Sequence, residues 1–437
     1  MKLFENYSRD LNDILSQKVK ITPDLIKTRK AVNVSMGKVT SLNEKSNNNI
    51  ENNLPSMIDG PKVLFSYDRE FLKKYFGKNK DSFSKITIGP HPDFVNLTNT
   101  DYIHHHCVSV FIDIKGSTRL IDKYSLLEVR LIKDSLLTLA IEVANQFGGH
   151  VHRLQGDGIF LQFVRRDKNP NDAVINALNA VSVLTQFVSV ELSNIMKQYE
   201  LSPLKIRAGI DFGENDKVLW SYYGIAGCEE LTTTSLHTDM AAKLQAKAND
   251  NCILIGDNVK KLLDLKKEFY SYYQNSDSKE MVYNITQNLT YPFFVFNWKE
   301  YLYSLPFIWK TSGSDSLEIK EKDIIIECFL SDEDGNNIEK YYPNSVSIPK
   351  GKKIHFKLLK NNKPYVKLDF ERIEWYARNS GKQAEDKKQL NLDFDNFFDN
   401  KTECIVDAAF LGHHYIECKI TRGHLVTEKI TFPIFVH

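Results

Sequence analysis

One stretch of this sequence, residues 107–164, restricts the fold more than any other part of the chain. It opens with an apolar run, which predicts a buried strand, and the run ends at Asp113. The turn Gly116-Ser117-Thr118 follows, and then comes a long segment with apolar residues at helical spacing. The stretch closes with a predicted β-hairpin, and the tip of this hairpin carries Asp157. If the first strand and the hairpin are neighbours in one sheet, the two carboxylates lie together at its edge.

The residue types around these two carboxylates favour nucleotide and metal chemistry. The backbone N–H groups of a glycine-containing turn can bind an anion, and the start of the helix after it adds positive potential. Paired carboxylates beside such a turn suit two divalent cations bound to a nucleoside triphosphate. Asp-Gly is also a common turn sequence in hairpins, so Asp157 by itself would be as well explained as a turn residue. The presence of Asp113 upstream, in the expected context, favours the metal site.

Composition and charge exclude several other classes of protein. With 57 basic and 56 acidic residues the formal net charge is +1, so no strongly basic field would hold nucleic acid nonspecifically. No apolar run approaches the roughly 20 residues needed to span a bilayer, and the N-terminus lacks the apolar region of a signal peptide. The six cysteines are scattered singly without CxxC spacing, which disfavours a zinc site. We therefore expect a cytoplasmic protein without direct nucleic-acid or membrane partners.

Changes of composition and pattern divide the chain into six predicted segments. These are an N-terminal helical segment (1–40), an Asn-rich linker (41–53), a lead-in (54–104), a catalytic domain (105–310), a polar linker (311–316) and a β-rich domain (317–437). The catalytic domain follows the order β-α-β-β-α-β, which predicts a ferredoxin-like palm with helices on one face of the sheet. Short alternating runs after the second linker predict a small antiparallel β-sandwich. The predicted fold class is therefore α+β.

The ordered set of motifs resembles the catalytic core of class III nucleotidyl cyclases over residues 105–265. In that family two aspartates hold two metal ions, and Asp113 and Asp157 match their positions. Ile114 matches the residue whose backbone carbonyl also contacts metal, and residues 116–118 match the phosphate-binding turn. The resemblance implies two divalent cations, Mn²⁺ or Mg²⁺, and a nucleoside triphosphate substrate.

Four further positions depart from the pattern of adenylyl cyclases. Arg153 stands where they carry a base-reading lysine; its fork of donors could read O2 of a pyrimidine, and a surface ion pair is the alternative. Thr232 falls near the position at which adenylyl cyclases carry an aspartate that accepts from the adenine amino group. The loss of this acceptor argues against ATP as the preferred substrate. Asp239 and Lys243 stand for the asparagine and arginine that stabilise the ribose and the transition-state phosphate. Lys243 keeps the charge without bidentate geometry, whereas Asp239 would repel a triphosphate unless it binds a cation or a sugar hydroxyl.

The C-terminal segment carries a second resemblance. Its stretches Trp375–Ala384 and Gly412–Tyr415 are similar to the small sensor domain of the AGS-C type, found on bacterial defence nucleotidyltransferases and cyclases. A generic sandwich with Trp375 in its core is the alternative interpretation.

Taken together, these features resemble the Pycsar pyrimidine cyclases of bacterial antiphage defence. The resemblance implies conversion of CTP or UTP to 3′,5′-cyclic CMP or cyclic UMP plus pyrophosphate, and a product that activates a separate effector protein. It also implies a head-to-tail homodimer with composite sites, in which Asp113 and Asp157 come from one chain and Asp239 and Lys243 from the other. An ordinary adenylyl or guanylyl cyclase is one alternative. A catalytically silent nucleotide-binding module is another, because of Asp239 and Lys243.

Overall fold

The computed structural model describes most of the chain. The described residues are 5–19, 69–77, 82–274, 281–310, 317–319, 322–332, 334–336, 338–393 and 400–437. Both predicted linkers, 41–53 and 311–316, lie outside these ranges, as does most of the predicted N-terminal segment.

The secondary-structure elements of the described part are labelled in chain order. The helices are α1 (Glu5–Val19), α2 (Arg69–Phe76), α3 (Leu120–Lys123), α4 (Leu126–Gln146), α5 (Pro170–Gln186), α6 (Ser193–Gln198), α7 (Leu236–Lys247), α8 (Asp257–Leu262), α9 (Trp298–Tyr303) and α10 (Lys382–Asp386). Strands up to residue 310 are β1 (Ile103–His104), β2 (Cys107–Ile114), β3 (Gly149–Gln155), β4 (Gly158–Phe163), β5 (Ile206–Gly213), β6 (Leu219–Ile225), β7 (Cys228–Thr234), β8 (Cys252–Gly256), β9 (Tyr270–Tyr272), β10 (Val282–Asn284), β11 (Thr290–Phe296) and β12 (Ile308–Lys310). Later strands are β13 (Leu317–Ile319), β14 (Ile324–Ser331), β15 (Glu339–Tyr341), β16 (Ser347–Ile348), β17 (Lys353–Lys360), β18 (Lys363–Pro364), β19 (Glu371–Arg378), β20 (Asn391–Asp393), β21 (Glu403–Asp407), β22 (Gly412–Arg422) and β23 (Leu425–Val436).

The catalytic domain is built on one sheet with the strand order β10-β11-β8-β5-β2-β4-β3, and β9 pairs with β11. Its first four strands in the chain lie in the order β5-β2-β4-β3, with α4 connecting β2 to β3 and α5 connecting β4 to β5. This order is the ferredoxin-like arrangement, so the predicted α+β palm is confirmed. β8 adds to the edge of β5 in parallel, and β11 adds to β8 in antiparallel orientation.

Local sequence signals explain why the two long helices form where they do. Ser125 caps α4 through a capping box with Glu128, which satisfies two free N–H groups of the first turn. Asn169 caps α5, and Pro170 occupies its first position. Helix α5 continues through one wide turn, residues 187–192, into α6. Within the described residues this Pro170–Gln198 helix alone has the length and apolarity to cross a membrane, but 89% of its most apolar window is buried inside the structure.

The β6–β7 hairpin leaves the central sheet and forms a separate small sheet with β1. Its own apolar cluster centres on Trp220, which is fully buried and stacks on Phe94 with ring centroids 3.9 Å apart. The helix α7 follows this hairpin directly and packs against β2, β5 and β8. The hairpin and α7 therefore lie next to the palm.

The C-terminal domain consists of two five-stranded sheets that enclose one apolar core. One sheet has the order β15-β14-β17-β18 with β21 beside β17, and the other has the order β16-β23-β22-β19-β20. All pairs are antiparallel except the short β16–β23 pair. Trp375 is buried in this core, and its indole N–H donates to the Lys401 carbonyl at 2.9 Å. The predicted β-sandwich is confirmed.

Polar contacts join the N-terminal helix and the sandwich to the palm. In α1, Tyr7 is buried and its hydroxyl donates to the Ser135 carbonyl at 2.5 Å. Asp172 of α5 accepts from the backbone N–H and the hydroxyl of Ser347, in the C-terminal domain, at 2.7 and 2.6 Å. Helix α5 therefore lies between the catalytic sheet and the C-terminal domain.

Candidate functional site

The two aspartates of the predicted metal site are neighbours in the structure. β2 pairs with β4 so that Ile112 lies opposite Ile159, which places the end of β2 beside the tip of the β3–β4 hairpin. As a result the carboxyl groups of Asp113 and Asp157 interact directly. Both side chains are about one fifth exposed or less, at 23% and 14%. The site is thus a half-buried pair of acids at one end of the palm.

Each aspartate is also held by a cationic side chain that the sequence did not predict. Arg207 of β5 donates to Asp113 Oδ2 from Nε at 3.1 Å and from Nη2 at 2.7 Å. Lys133 of α4 donates to Asp157 Oδ1 at 3.2 Å. The other oxygen of Asp157, Oδ2, is buried and has no hydrogen-bond partner within the described part of the chain. A buried carboxylate oxygen without a donor is the kind of atom that a cation would satisfy.

These surroundings raise the pKa of Asp113 and lower the pKa of Asp157. Burial raises the pKa of the Asp113 carboxyl, the neighbouring Asp157 carboxyl adds to this effect, and Arg207 opposes it. Burial also acts to raise the pKa of Asp157, but the Ser117 hydroxyl, the Asp113 carboxyl and the Lys133 ammonium together hold it below its usual value. A bound divalent cation would favour the charged form of both.

The predicted phosphate turn follows β2 directly and lies beside these acids. Gly116 has φ +72°, a left-handed conformation that favours glycine, and a Cβ there would meet nothing within 4 Å. Ser117 is buried, whereas Gly116 and Thr118 are exposed. The exposed part of the turn is accessible to a ligand that also reaches Asp113 and Asp157.

Arg153 and Thr232 lie together at a second location, on β3 and β7. The register of β3 against β4 shifts between Val151 and Arg153, so β3 is irregular at His152. Arg153 forms a two-pronged ion pair with Glu230, in which its Nε donates to Oε1 at 2.9 Å. Thr232 Oγ1 lies 2.9 Å from Nε2 of the buried His152. The predicted base-reading residues are therefore partnered by Glu230 and His152.

Sequence reasoning missed these two partners, although one signal for them existed. Glu230 precedes Thr232 by two residues, and alternate residues of a strand face the same side. His152 precedes Arg153, so only the irregularity in β3 brings it to the same surface.

Asp239 and Lys243 lie one helical turn apart on α7, and both are exposed. The Lys243 ammonium lies 5.4 Å from the centroid of the Tyr283 ring. Within the described residues, neither side chain forms a hydrogen bond or ion pair with Asp113 or Asp157. Another residue of α7, Gln245, does contact the acids: its side-chain amide donates to Asp113 Oδ2 at 3.3 Å.

A buried polar network fixes the first turn of α7. Asp211 of β5 is fully buried and accepts from Tyr291 Oη at 2.8 Å, and His237 Nδ1 lies 3.0 Å from its Oδ2. Burial raises the pKa of Asp211, and the hydrogen bond from His237 opposes this. A Cβ at Gly256 would lie 2.1 Å from Asp211 Oδ1, so the network requires glycine there. His237 precedes Asp239 by two residues, so the network positions the start of the helix that carries it.

Three comparisons place the chain among known proteins. Residues 296–437 match the family model of the adenylyl/guanylyl and SMODS C-terminal sensor domain. A cytidylate cyclase of Staphylococcus aureus is 36% identical over 375 residues, which cover 84% of this chain and 86% of that protein. A cytidylate cyclase of Escherichia coli is 33% identical over 356 residues, 77% of this chain and 72% of that protein. A solved structure, the adenylyl cyclase CyaB from P. aeruginosa, matches 45% of this chain and 96% of its own at 17% identity, with a TM-score of 0.39.

The palm and the C-terminal domain, together with these relatives, define a class III nucleotide cyclase with an AGS-C sensor domain. The resemblances to class III cyclases and to the AGS-C sensor domain are thereby confirmed. The chain is an enzyme of the nucleotide cyclase class. The chain belongs to the cytidylate cyclase family.

Proposed function

We propose that this protein converts CTP to 3′,5′-cyclic CMP and pyrophosphate, with two divalent cations, Mn²⁺ or Mg²⁺, held by Asp113 and Asp157. The observation that carries the proposal is the buried, unpartnered Oδ2 of Asp157 beside a second carboxylate and a phosphate-binding turn. The Ile114 carbonyl, at the end of β2, is the proposed third ligand. Bound cations would lower the pKa of the ribose 3′-hydroxyl and neutralise the triphosphate.

The reaction forms one bond and breaks one. The 3′-oxygen of the ribose attacks the α-phosphorus, the bond from that phosphorus to the bridging oxygen of the β-phosphate breaks, and pyrophosphate leaves. The hydroxyl proton passes to solvent. The backbone N–H groups of Gly116, Ser117 and Thr118 hold the β- and γ-phosphates, and the ammonium of Lys243 stabilises the charge that develops around the α-phosphorus. Asp239 binds a sugar hydroxyl of the same substrate.

A homodimer completes this arrangement, because within one chain Gln245 of α7 bonds to Asp113, whereas Lys243 and Asp239 form no bond to either acid within the described residues. Exposed apolar side chains on the adjoining hairpin and at the start of α7 support such an interface: Tyr223, Ile225 and Leu236 are 49%, 75% and 40% exposed. In a head-to-tail dimer each site takes the acids and the turn from one chain and α7 from the other.

Cytosine is the proposed base, and the relatives' name, cytidylate cyclase, supports it. The Arg153–Glu230 pair supplies the chemistry that reads it: the guanidinium donates to O2, and the carboxylate accepts from the 4-amino group. Uracil presents an oxygen at position 4, which a carboxylate repels. Position 232 carries a threonine, whose hydroxyl lies against His152. This position therefore offers no carboxylate that could accept a hydrogen bond from the amino group of adenine.

The proposal is tested by incubating the purified full chain with ATP, GTP, CTP and UTP and either cation, with mass spectrometry of the products. Cyclic CMP is expected from CTP. Asp113→Ala and Asp157→Ala should each remove the product, whereas Asp122→Ala, which changes an exposed acid on α3, should not. A purine product would favour the adenylyl or guanylyl alternative. Tight triphosphate binding without pyrophosphate release would favour a silent module.

The base assignment has its own test in Glu230→Gln. The amide can donate to O4 of uracil, so the ratio of kcat/KM for CTP over UTP should fall by about tenfold or more. An unchanged ratio would exclude Glu230 as the reader of position 4.

We also propose that cyclic CMP serves in the cytoplasm as a second messenger that activates a separate effector during antiphage defence. The match of residues 296–437 to a sensor-domain family supports a regulated enzyme. Cells that express the chain should accumulate cyclic CMP after phage infection and not before it, and a constant level would contradict this role.

A further inference from the structure

A cavity of about 500 Å³ lies between the catalytic domain and the sensor domain. Its size falls within the range of small-molecule pockets. The catalytic side supplies one face of α5 together with Phe147, and the sensor side supplies Ser331, Tyr342 and Lys352 among others. Neither acid of the proposed metal site lines it. We propose that this cavity binds a phosphate ester of mononucleotide size and that its occupancy regulates the cyclase.

The α5 face in the cavity is polar within an otherwise apolar helix. Asp172, Asn176 and Asn179 follow one another at spacings of four and three residues, which places them on one side of the helix. Asp172 accepts two hydrogen bonds from Ser347, and Asn179 donates to the Asn344 carbonyl at 2.9 Å. Polar groups are costly inside a dry interface unless they are paired, so this polar face both joins the domains and lines the cavity.

The charges and rings of the lining indicate which ligand would fit. Lys168 of the catalytic domain and Lys352 of the sensor domain both line the cavity, as do the acids Asp172 and Glu339. Lys168 opposes the rise in the pKa of Asp172 that burial causes, so its charge already acts on that carboxyl. A third lysine, Lys340, is already paired with Glu327 at 2.6 Å. Two ammonium groups suit a phosphate, and the rings of Phe147 and Tyr342 offer apolar faces to a base. The combination favours a nucleotide over an uncharged metabolite.

One buried amide in the same loop lacks a partner. Asn344 is fully buried with φ +50°, and within the described residues neither side-chain amide atom has a hydrogen-bond partner. It lies in the chain between Tyr342 and Ser345, which both line the cavity. Asn344 itself does not line the cavity, so its unpaired amide marks a loop whose packing a bound ligand could change.

Helix α5 connects the cavity to the proposed catalytic site. It packs against β2, β4 and β5. Asp113 is the last residue but one of β2, and β4 begins directly after Asp157. If the helix α5 has two alternative placements against the sheet, a ligand that binds better to one of them would favour that placement. The spacing of the two acids would then change with it. The binding site itself does not depend on which nucleotide the enzyme cyclises.

Calorimetric titration of the full chain in EDTA tests the site. Without a cation Asp113 and Asp157 repel anions, so nucleotide binding at the proposed active site is suppressed. The probes are CMP, AMP, cyclic CMP and inorganic phosphate. We expect one saturable site per chain for at least one nucleotide, weakened at least tenfold in the Lys168→Gln/Lys352→Gln double variant and unchanged in Lys197→Gln, which alters an exposed lysine on α6.

The outcomes separate the parts of the proposal. No saturable nucleotide binding, or equal affinity in the double variant, would overturn it. If inorganic phosphate binds as tightly as every nucleotide, the rings of Phe147 and Tyr342 do not contribute to binding. The proposal that they contact a base would then be wrong. If the bound nucleotide leaves pyrophosphate release by the wild-type enzyme unchanged, the cavity does not regulate the cyclase; a change that the double variant lacks is the expected result.

Discussion

Acidification from pH 7.5 to 5.5 should destabilise this protein through its buried histidines. His106 is 5% exposed, and burial together with the charge of His105 lowers its pKa to about 4. His414 is 4% exposed, and burial lowers its pKa to about 4 as well. Its Nε2–H donates to the Phe410 carbonyl at 2.7 Å, and its Nδ1 accepts from the Ser380 N–H, so the neutral ring is the form that fits.

The magnitude follows from proton linkage. In the unfolded chain each ring has a pKa near 6.5, whereas in the folded chain it is about 4. The unfolded state therefore binds more protons as the pH falls below 6.5, and the stability that is present above this pH is lost progressively down to pH 4. At pH 5.5 each ring accounts for roughly 1–2 kcal/mol, so the two together remove roughly 3 kcal/mol of the free energy of unfolding. His91 and His413, whose pKa values burial also lowers, act in the same direction.

Urea unfolding at pH 7.5, 6.5 and 5.5 measures this effect above the range in which ordinary carboxylates titrate. Asp113, Asp172 and Asp211, whose pKa values burial raises, take up protons in the folded chain and oppose the loss. His414→Gln retains polar contacts without a titrating ring, so it should lose roughly 1–2 kcal/mol of the pH dependence. His424→Gln, which changes an exposed histidine in the β22–β23 turn, should keep all of it. The reasoning is refuted if the wild-type chain loses less than about 1 kcal/mol between pH 7.5 and 5.5, or if His414→Gln shows the full wild-type dependence.

Two further predictions concern the metal site and the network under α7. Chelation with EDTA should abolish product formation, and excess Mn²⁺ should restore it; activity that persists in EDTA would contradict the roles of Asp113 and Asp157. Asp211→Ala leaves Tyr291 and His237 without their shared acceptor. It should therefore lower the free energy of unfolding, measured by denaturant titration, by about 2–4 kcal/mol. As a control, Asp216→Ala, which removes an exposed acid paired with Lys217, should change it by less than about 0.5 kcal/mol.

The order of elements in the palm was predictable because local signals in the sequence agree with one another. The apolar run before Asp113 gives β2, the Ser125 and Glu128 capping box begins α4, and the Gly148–Gly149 pair ends it. The hairpin around Asp157 then follows from its glycines. With the handedness and pairing rules of such units, these elements place both acids at one end of the sheet before any coordinate is known.

The partners of those acids were not predictable in the same way. Arg207 contacts Asp113 only because β5 pairs with β2 in the register that sets these two residues opposite one another. The residues are 94 positions apart, and the alternation of β5 alone does not reveal which strand it will join. The same holds for Lys133, whose reach to Asp157 depends on how α4 crosses the sheet.

The proposed dimer, in which the paired acids and Lys243 of one site come from different chains, leads to the sharpest test of the composite site. Asp113→Ala and Lys243→Ala should each be inactive as homodimers, because every site in them has one defect. In a head-to-tail mixed dimer, one site carries both defects and the other carries neither. An equal mixture that exchanges subunits freely contains about half mixed dimers, so about a quarter of all sites are intact and about a quarter of wild-type activity should return. A mixture of Asp113→Ala with Asp157→Ala should regain none, since both acids come from the same chain. No recovery in the first mixture, despite proven subunit exchange, would refute a composite site in which Asp113 and Lys243 come from different chains.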